Sequence, residues 1–151
     1  MPTSSTASGL VPSSPERVEA LPTSDSPPPR LDVLDPLQLP PTIRYPRWAR
    51  LALEVGFPIS TLPTVDLLIH RESRGLPQLV NRTRNRDGSH DWGLLQINGR
   101  SWCEPTRYYP AGYLQTLRIL NTCKELLDPL TNLKAAHAIW VYAKGFGPWG
   151  A

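Results

Sequence analysis

The chain has 151 residues and a formal net charge of +3, which suits one folded domain with at most an appendage. No apolar run approaches the roughly 18 residues of a membrane-spanning helix, and residues 1–10 lack the basic start and apolar stretch of a signal peptide. The basic residues are scattered and match no nucleic-acid motif, so we expect neither a membrane span nor a nucleic-acid partner.

Composition divides the chain near residue 43. Residues 1–42 hold 10 of the 18 prolines, 11 serines and threonines, and no aromatic residue. Such a segment cannot bury enough apolar surface to fold alone, so we predict a Pro/Ser/Thr-rich extended arm, disordered by itself or docked on a partner. Residues 43–151 hold all five tryptophans, both cysteines and a net charge of +6. They predict one folded domain, and the charge suits an anionic polymer as partner.

Two short amphipathic helices are predicted at the start of this domain. In the first, helical spacing relates four apolar residues before Gly56, namely Trp48, Leu51, Ala52 and Val55. The second has Pro63 in its first turn and ends before Gly75. Its apolar stripe runs through Val65, Leu68 and Ile69. The next position on the same face is Glu72.

The rest of the domain alternates between turn-rich and helical segments. The pair Asp87-Gly88 is a strong hairpin signal, so we predict a small β-hairpin, with residues 92–98 either a short strand or the approach to the next loop. Residues 100–112 look irregular, and residues 114–120 indicate a helical turn. A last helix begins at Asp128-Pro129. Its predicted buried stripe is Leu133, Ala136, Trp140 and Val141.

Glu72 and Asp91 are two carboxyls with opposite expected surroundings. On the apolar face of a helix, Glu72 would lose hydration in its charged form and keep its proton, which suits a general acid. A Glu at a helix end can equally turn outward or pair with Arg71 or Arg74. Asp91 follows residues 87–89, whose hydroxyl and backbone donors favour a carboxylate. In such a stretch, however, an Asp more commonly caps a turn.

Residues 85–103 read NRDGSHDWGLLQINGRSWC, and this frame closely resembles the active-site hairpin of the animal c-type lysozymes. The pair Glu72-Ser73 matches the catalytic Glu-Ser of that family and of the lytic transglycosylases, which share Gly93–Gln96. Residues 128–140 resemble the core helix that follows in the family. The resemblance covers residues 45–151 and implies a lysozyme-like α+β fold, mainly helical, with the small hairpin flanking a substrate cleft.

The resemblance also implies roles for eight residues. Glu72 would act as general acid and then general base, and Asp91 as nucleophile or electrostatic stabiliser, a scheme for which lysozyme is itself the type case. The other six are substrate-binding candidates: Asn85, Ser89 and Asn98 around Asp91 or the sugar, Gln96 lining the cleft, Trp102 stacking on a sugar, and Trp149 as the apolar wall beside Glu72. For both tryptophans the alternative is core packing.

Cys103 and Cys123 match two half-cystines that pair in c-type lysozymes, so the resemblance implies one disulfide. The chain departs from the family in lacking its other cysteines and in having two extra residues between Glu72 and the hairpin. It also carries Ser101 in place of an aromatic residue beside Trp102. These departures bear on sugar contacts more than on the carboxyl pair.

With both carboxyls present, the resemblance implies a muramidase. It would cleave the β-1,4 bond between N-acetylmuramic acid and N-acetylglucosamine in bacterial peptidoglycan, with retention, from carboxyls about 5–5.5 Å apart. Two alternatives stay open. One is a lytic transglycosylase, which needs only Glu72 and leaves an internal anhydro-sugar. The other is a non-catalytic module of a virion or cell wall.

We expect no cofactor and no metal site, because His70, His90 and His137 are too far apart in sequence to form one. Because no signal peptide is recognisable, we predict a bacteriophage protein that acts on the wall outside the cytoplasm. In the favoured version it is a virion-associated lysin that residues 1–42 tether to virion or tail proteins. The alternative is an endolysin released during lysis.

Overall fold

The computed structural model describes residues 39–151, so the predicted arm lies almost wholly outside the described residues and stays a prediction. Pro41–Ala151 form one compact unit. Across the described residues, five α-helices and three two-residue strands follow the order α1 (Pro46–Val55), α2 (Leu62–Ser73), β1 (Val80–Asn81), β2 (Asp91–Trp92), β3 (Ile97–Asn98), α3 (Gly99–Trp102), α4 (Tyr113–Thr116) and α5 (Pro129–Ala143). Short 3-10 helices cover Ile59–Thr61, Cys123–Leu127 and Gly147–Trp149. The predicted α+β, mainly helical fold is confirmed.

The core lies where α1 packs against both α2 and α5. Apolar side chains from these helices are fully buried there, among them Ala52, Leu62, Leu68, Leu133 and Ile139. Each large aliphatic side chain withdrawn from water in this way contributes about 1.5–3 kcal/mol. The core therefore supplies the rigid base from which the end of α2 projects.

The predicted buried stripe of α5 is partly wrong, since Val141 is 56% exposed. The stripe that the structure buries runs through Asn132, Ala135, Ala136 and Ile139, with Leu133 beside it. These positions keep the helical spacing but begin at a polar residue. The predicted stripe started at Leu133 rather than at Asn132, which displaced its later positions around the helix and brought in Val141.

A buried carboxylate on α2 holds the start of α1. Asp66 is 5% exposed and accepts hydrogen bonds from the backbone N–H groups of Arg44 and Tyr45, at 2.9–3.1 Å. Backbone donors at the start of a helix have no partner within the helix, so a carboxylate placed there satisfies them. This contact joins the start of α1 to α2, as does the hydroxyl of Tyr45, which lies 2.9 Å from His70 Nδ1.

The second helix ends where the sequence predicted, at Ser73. Arg74 and Gly75 both take left-handed backbone angles, with φ of 55° and 77°. A side chain at Gly75 would overlap the ring of Tyr45, and Trp48 Nε1 donates to the Gly75 carbonyl at 3.1 Å. The chain must therefore leave the helix here, which puts Glu72 in its last turn.

The three strands form one antiparallel sheet in the order β1-β2-β3. Asp91 is paired with Asn81 on one side and with Asn98 on the other. The predicted hairpin turn at Asp87-Gly88 lies between β1 and β2. The prediction that residues 92–98 form a short strand or the approach to a loop missed a second turn: Trp92 ends β2, the chain turns at residues 93–96, and β3 follows. Positive φ angles at Gly93 (74°) and Gln96 (45°) make that turn.

The segment after the sheet is more regular than predicted. Residues 100–102 belong to α3, and the side-chain oxygen of Asn98 caps that helix by accepting from Ser101 N at 3.0 Å. The irregular assignment for 100–112 is therefore wrong at its start. Of the predicted helical turn at 114–120, residues 114–116 lie in α4 and residues 117–120 lie beyond its end.

Asn132 fastens the sheet to α5. This side chain is fully buried and donates to the carbonyls of Trp92 and Leu126 at 2.9 Å each, while its oxygen accepts from Leu95 N at 3.1 Å. A Cβ at Gly93 would overlap the Asn132 amide and the Leu126 carbonyl. Gly93 is therefore required both by its φ and by this close approach.

Two further sequence predictions concern covalent links and membranes. Cys103 and Cys123 form a disulfide with an S–S distance of 1.99 Å, so the implied pairing is confirmed. Among the helices of residues 39–151, none has the length and apolar character needed to cross a membrane.

Candidate active site

A pocket of about 250 Å³ opens between the end of α2, the sheet, α5 and the C-terminal 3-10 helix. Seven of the eight predicted site residues line it: Glu72, Asn85, Asp91, Gln96, Asn98, Trp102 and Trp149. They come from separate segments along the chain, so the fold brings together what the sequence spreads over 78 positions. The eighth, Ser89, is not among the lining residues.

Glu72 projects into the pocket from the last turn of α2, and its side chain is only 13% exposed. One carboxyl oxygen, Oε2, accepts from Arg71 Nη2 at 3.0 Å. The other, Oε1, lies 3.5 Å from Arg84 Nη2. The pairing with Arg71, which the sequence offered as an alternative to an inward-facing Glu, therefore coexists with the inward position.

Asp91 opens strand β2, and its side chain is 4% exposed. Its Oδ1 accepts from Asn85 Nδ2 and Asn98 Nδ2, at 3.0 Å each. Its Oδ2 accepts from Arg84 Nε at 3.2 Å and from Arg84 Nη2 at 2.6 Å. Four donors therefore converge on this buried side chain, and each stabilises negative charge on it.

Asn98 and Ser89 extend this network away from the pocket. Asn98 stands opposite Asp91 in the sheet and donates to Ser89 Oγ at 2.8 Å. Ser89 is 3% exposed and donates its hydroxyl to Asp87 at 2.6 Å. Its hydroxyl is linked to Asp91 through Asn98, and its carbonyl through Asn85, which donates to it at 3.1 Å. The Ser89 hydroxyl, then the Ser89 N–H, and the charge of Arg100 lower the pKa of Asp87 from its ordinary value.

Sequence reasoning missed Arg84. Because Glu72 Oε1 and Asp91 Oδ2 lie 3.5 and 2.6 Å from the same Arg84 nitrogen, those two oxygens are no more than 6.1 Å apart. Arg84 lies in a run with Arg82 and Arg86, and nothing in their spacing distinguishes the one that reaches both carboxyls.

The aromatic residues of the pocket both line it and pack. Trp102 meets the rings of Tyr113 and Tyr142 edge-on, at centroid distances of 5.5 and 5.9 Å, and burial raises the pKa of Tyr113. Trp149 Nε1 donates to the Leu95 carbonyl at 2.8 Å. The carbonyl of Trp149 also accepts from Arg71, which ties this tryptophan to the segment that carries Glu72.

Gln96 serves the turn as well as the pocket wall. Its side-chain nitrogen donates to the carbonyls of Leu79 and Gly93, at 3.1 and 3.0 Å. The bond to Leu79 holds the 93–96 turn against the chain before β1, and the bond to Gly93 closes the turn itself. Within residues 39–151, His, Cys, Asp and Glu side chains form no group of three that would suit a metal ion.

Comparison with known proteins finds several lysozymes, although no family model matches the chain. Lysozyme C II of Oncorhynchus mykiss is 34% identical over 98 residues, which cover 64% of this chain and 64% of that protein. A lysozyme of Galleria mellonella is 41% identical over 51 residues, covering 34% of this chain and 41% of that protein. Lysozyme C of Dromaius novaehollandiae is 37% identical over 70 residues, covering 45% of each.

The chain spans less than two thirds of the length of these relatives. The matches confirm the resemblance to the lysozyme-like superfamily, and within it to the c-type lysozymes. The wider resemblance to lytic transglycosylases stays a prediction.

Proposed function

We propose that this relative of the c-type lysozymes is a glycoside hydrolase, specifically a muramidase that cleaves the β-1,4 bond between N-acetylmuramic acid and N-acetylglucosamine in peptidoglycan. The observation that carries the proposal is the meeting of Glu72 and Asp91 in one pocket, with Arg84 within reach of both. Asn85 and Asn98 support it by holding the Asp91 carboxylate from two sides. The relatives named lysozyme support the same reaction class.

In the proposed reaction, protonated Glu72 gives its proton to the glycosidic oxygen as the bond to the anomeric carbon breaks. Asp91 stabilises the positive charge that develops on the sugar, or bonds to its anomeric carbon. Glu72, now a carboxylate, then takes a proton from water as that water adds to the anomeric carbon, and any bond that Asp91 formed to this carbon breaks and frees the Asp91 carboxylate. The Glu72 side chain ends the cycle protonated, ready for the next bond.

The separation of the two carboxyls favours retention of configuration. Retaining enzymes hold their carboxyls about 5–5.5 Å apart, whereas inverting enzymes need about 6.5–9.5 Å to admit a water between them. The upper limit of 6.1 Å between Glu72 Oε1 and Asp91 Oδ2 lies below the inverting range. Polarimetry or NMR can identify the anomer that is released first. An α-anomer as first product would contradict retention.

The direct experiment compares wild type with Glu72→Gln on a suspension of bacterial walls, following the fall in turbidity. We expect Glu72→Gln to lose activity by at least about 10²-fold, the usual contribution of a general acid. Glu54→Gln is the matched control, because Glu54 is an exposed residue of α1 outside the pocket lining. Equal clearing by wild type and Glu72→Gln would leave only a non-catalytic, wall-binding module.

The second candidate is a lytic transglycosylase that uses Glu72 alone. It is favoured by one observation, namely that both oxygens of Asp91 are already occupied by protein donors, as in a structural Asp. Mass spectrometry of the released fragments separates the two reactions. A hydrolase yields products that have gained water, whereas an anhydro-muramyl product lighter by one water would establish the transglycosylase.

We propose that the protein acts outside the cytoplasm, on the cell wall. The Cys103–Cys123 disulfide supports this location, because disulfides persist mainly in oxidising compartments. The finer hypothesis, a bacteriophage virion-associated lysin tethered by residues 1–42, rests on the composition of that arm. Deleting residues 1–42 should abolish incorporation into particles, and unchanged incorporation would refute the tether.

A further inference from the structure

Arg84 occupies the place that the scissile bond must take. Its Nη2 lies 2.6 Å from Asp91 Oδ2 and 3.5 Å from Glu72 Oε1, and a glycosidic bond attacked by both carboxyls has to lie between them. A guanidinium and a sugar ring cannot share that space. Substrate entry therefore requires Arg84 to leave at least one of its two partners.

The structure gives Arg84 the freedom to do so. Its side chain is 48% exposed, whereas that of Asp91 is 4% exposed, so the guanidinium can turn outward and Asp91 cannot follow. The Arg84 backbone stays fixed, because its N–H donates to Asn81 Oδ1 at 2.9 Å. Asp91 still keeps its two amide donors after the guanidinium has left.

Displacing a guanidinium from a buried carboxylate costs free energy unless the arriving molecule offers it another anion. A neutral glycan, such as a polymer of N-acetylglucosamine, offers none. A peptidoglycan fragment does, because its muramic acid residues carry peptides that end in carboxylates. Arg84 lies beside the scissile bond, so such a carboxylate is the natural new partner for the displaced side chain.

We propose that Arg84 determines the substrate class of this site, favouring glycans that carry carboxylates over neutral ones. This inference rests on the proposed function, since it presumes that the pocket binds a glycan. In the free protein Arg84 pairs with Asp91 and lies 3.5 Å from Glu72 Oε1. In the complex it pairs with the acidic substituent of the substrate. Its role is that of a specificity-determining residue, acting by exchange of one carboxylate partner for another.

The test measures the binding of two probes to the full chain by tryptophan fluorescence, since Trp102 and Trp149 line the pocket. The probes are neutral tri-N-acetylglucosamine and an acidic N-acetylglucosaminyl-N-acetylmuramyl peptide. We expect Arg84→Ala to tighten the neutral probe roughly fivefold, the upper end for a partly exposed ion pair, and to weaken the acidic probe. The matched control is Arg86→Ala, which removes the same charge from the same loop at an exposed position. It should change the affinity for neither probe by more than twofold.

Arg84→Gln provides a second variant should Arg84→Ala fail to fold, because Gln keeps an N–H donor for Asp91 without the charge. The specificity role would be overturned if the Arg84 variant changed both affinities by the same factor. It would also be overturned if Arg86→Ala changed the preference between the two probes as much as the Arg84 variant does. Binding of neither probe by wild type would overturn both this inference and the proposed function. If the Arg84 variant changes the preference between the probes but the wild type cleaves no glycosidic bond, the inference is supported and only the proposed hydrolase activity is contradicted.

Discussion

Asn98 is the residue whose replacement should disturb the site most, because one side chain makes three contacts. Its oxygen caps α3 through Ser101 N, and its nitrogen donates to Asp91 Oδ1 and Ser89 Oγ, at 3.0 and 2.8 Å. Removing an N-cap costs about 1 kcal/mol, and removing a hydrogen bond to a charged group costs about 1.5–3 kcal/mol. We therefore expect Asn98→Ala to lower the free energy of unfolding by about 2–4 kcal/mol.

Two further variants separate those contributions. Asn98→Asp keeps the capping oxygen but removes the donor and sets a second carboxylate opposite Asp91, so we expect a loss at least as large as for Asn98→Ala. Asn85→Ala removes one donor to Asp91 and no cap, so its loss should be smaller, about 1.5–3 kcal/mol.

Thermal and urea unfolding of the three variants would measure these losses. For a domain of this size about 4 °C in Tm corresponds to 1 kcal/mol, so Asn98→Ala should melt about 8–16 °C below wild type. A loss below about 1 kcal/mol for Asn98→Ala would refute the reasoning. Wild-type stability of Asn98→Asp would refute it as well, because a second carboxylate facing Asp91 would then not lower the free energy of unfolding.

Three other predictions concern stability away from Asn98. Replacing Cys103 and Cys123 together by Ser should cost about 3 kcal/mol, since the disulfide closes a loop with a sequence separation of 20, and urea unfolding with and without reductant would detect it. Backbone hydrogen bonds, that of Thr122 first, lower the pKa of Glu125 from its ordinary value of 4.5. The ionised Glu125 therefore stabilises the folded protein above pH 4.5, and this stabilisation is lost as the pH falls through the pKa of Glu125 in the folded state. Glu125→Gln should accordingly make the free energy of unfolding depend less on pH on the acid side. Gly93→Ala should destabilise the protein by more than about 2 kcal/mol through overlap and positive φ, and wild-type stability in thermal unfolding would contradict the close packing.

The sequence predicted those elements whose ends are set by local chemistry. α1 and α2 end at Gly56 and beside Gly75, as expected from glycines in left-handed conformations. α5 begins after Asp128, whose side chain caps it by accepting from Thr131 N at 3.0 Å. In each case the type of a single residue predicts where the helix begins or ends, so the prediction needed no knowledge of tertiary contacts.

The sequence did not predict contacts made by polar residues across long separations. Asp66, Asn132 and Arg84 all look like surface residues by type, yet two of them are buried and the third joins both carboxyls. Local patterns assign polar residues to the exterior, and only the packed chain reveals where a carboxylate or amide has a partner. For the same reason the sequence, which offered Arg71 as a partner of Glu72, gave no sign of Arg84 beside it.

The sheet that carries Asp91 has strands of only two residues, far too short to be stable alone. Its stability must come from side chains that connect it to the helices and to the last segment of the chain. Asn132 ties it to α5, Gln96 fixes its second turn, and Trp149 bonds to the carbonyl of Leu95 in that turn. The density of Asn, Gln and Gly in residues 85–99 thus serves folding and the site together. A substitution in this segment will change stability and activity jointly, so a loss of activity identifies a catalytic role only when the folded fraction has been measured beside it.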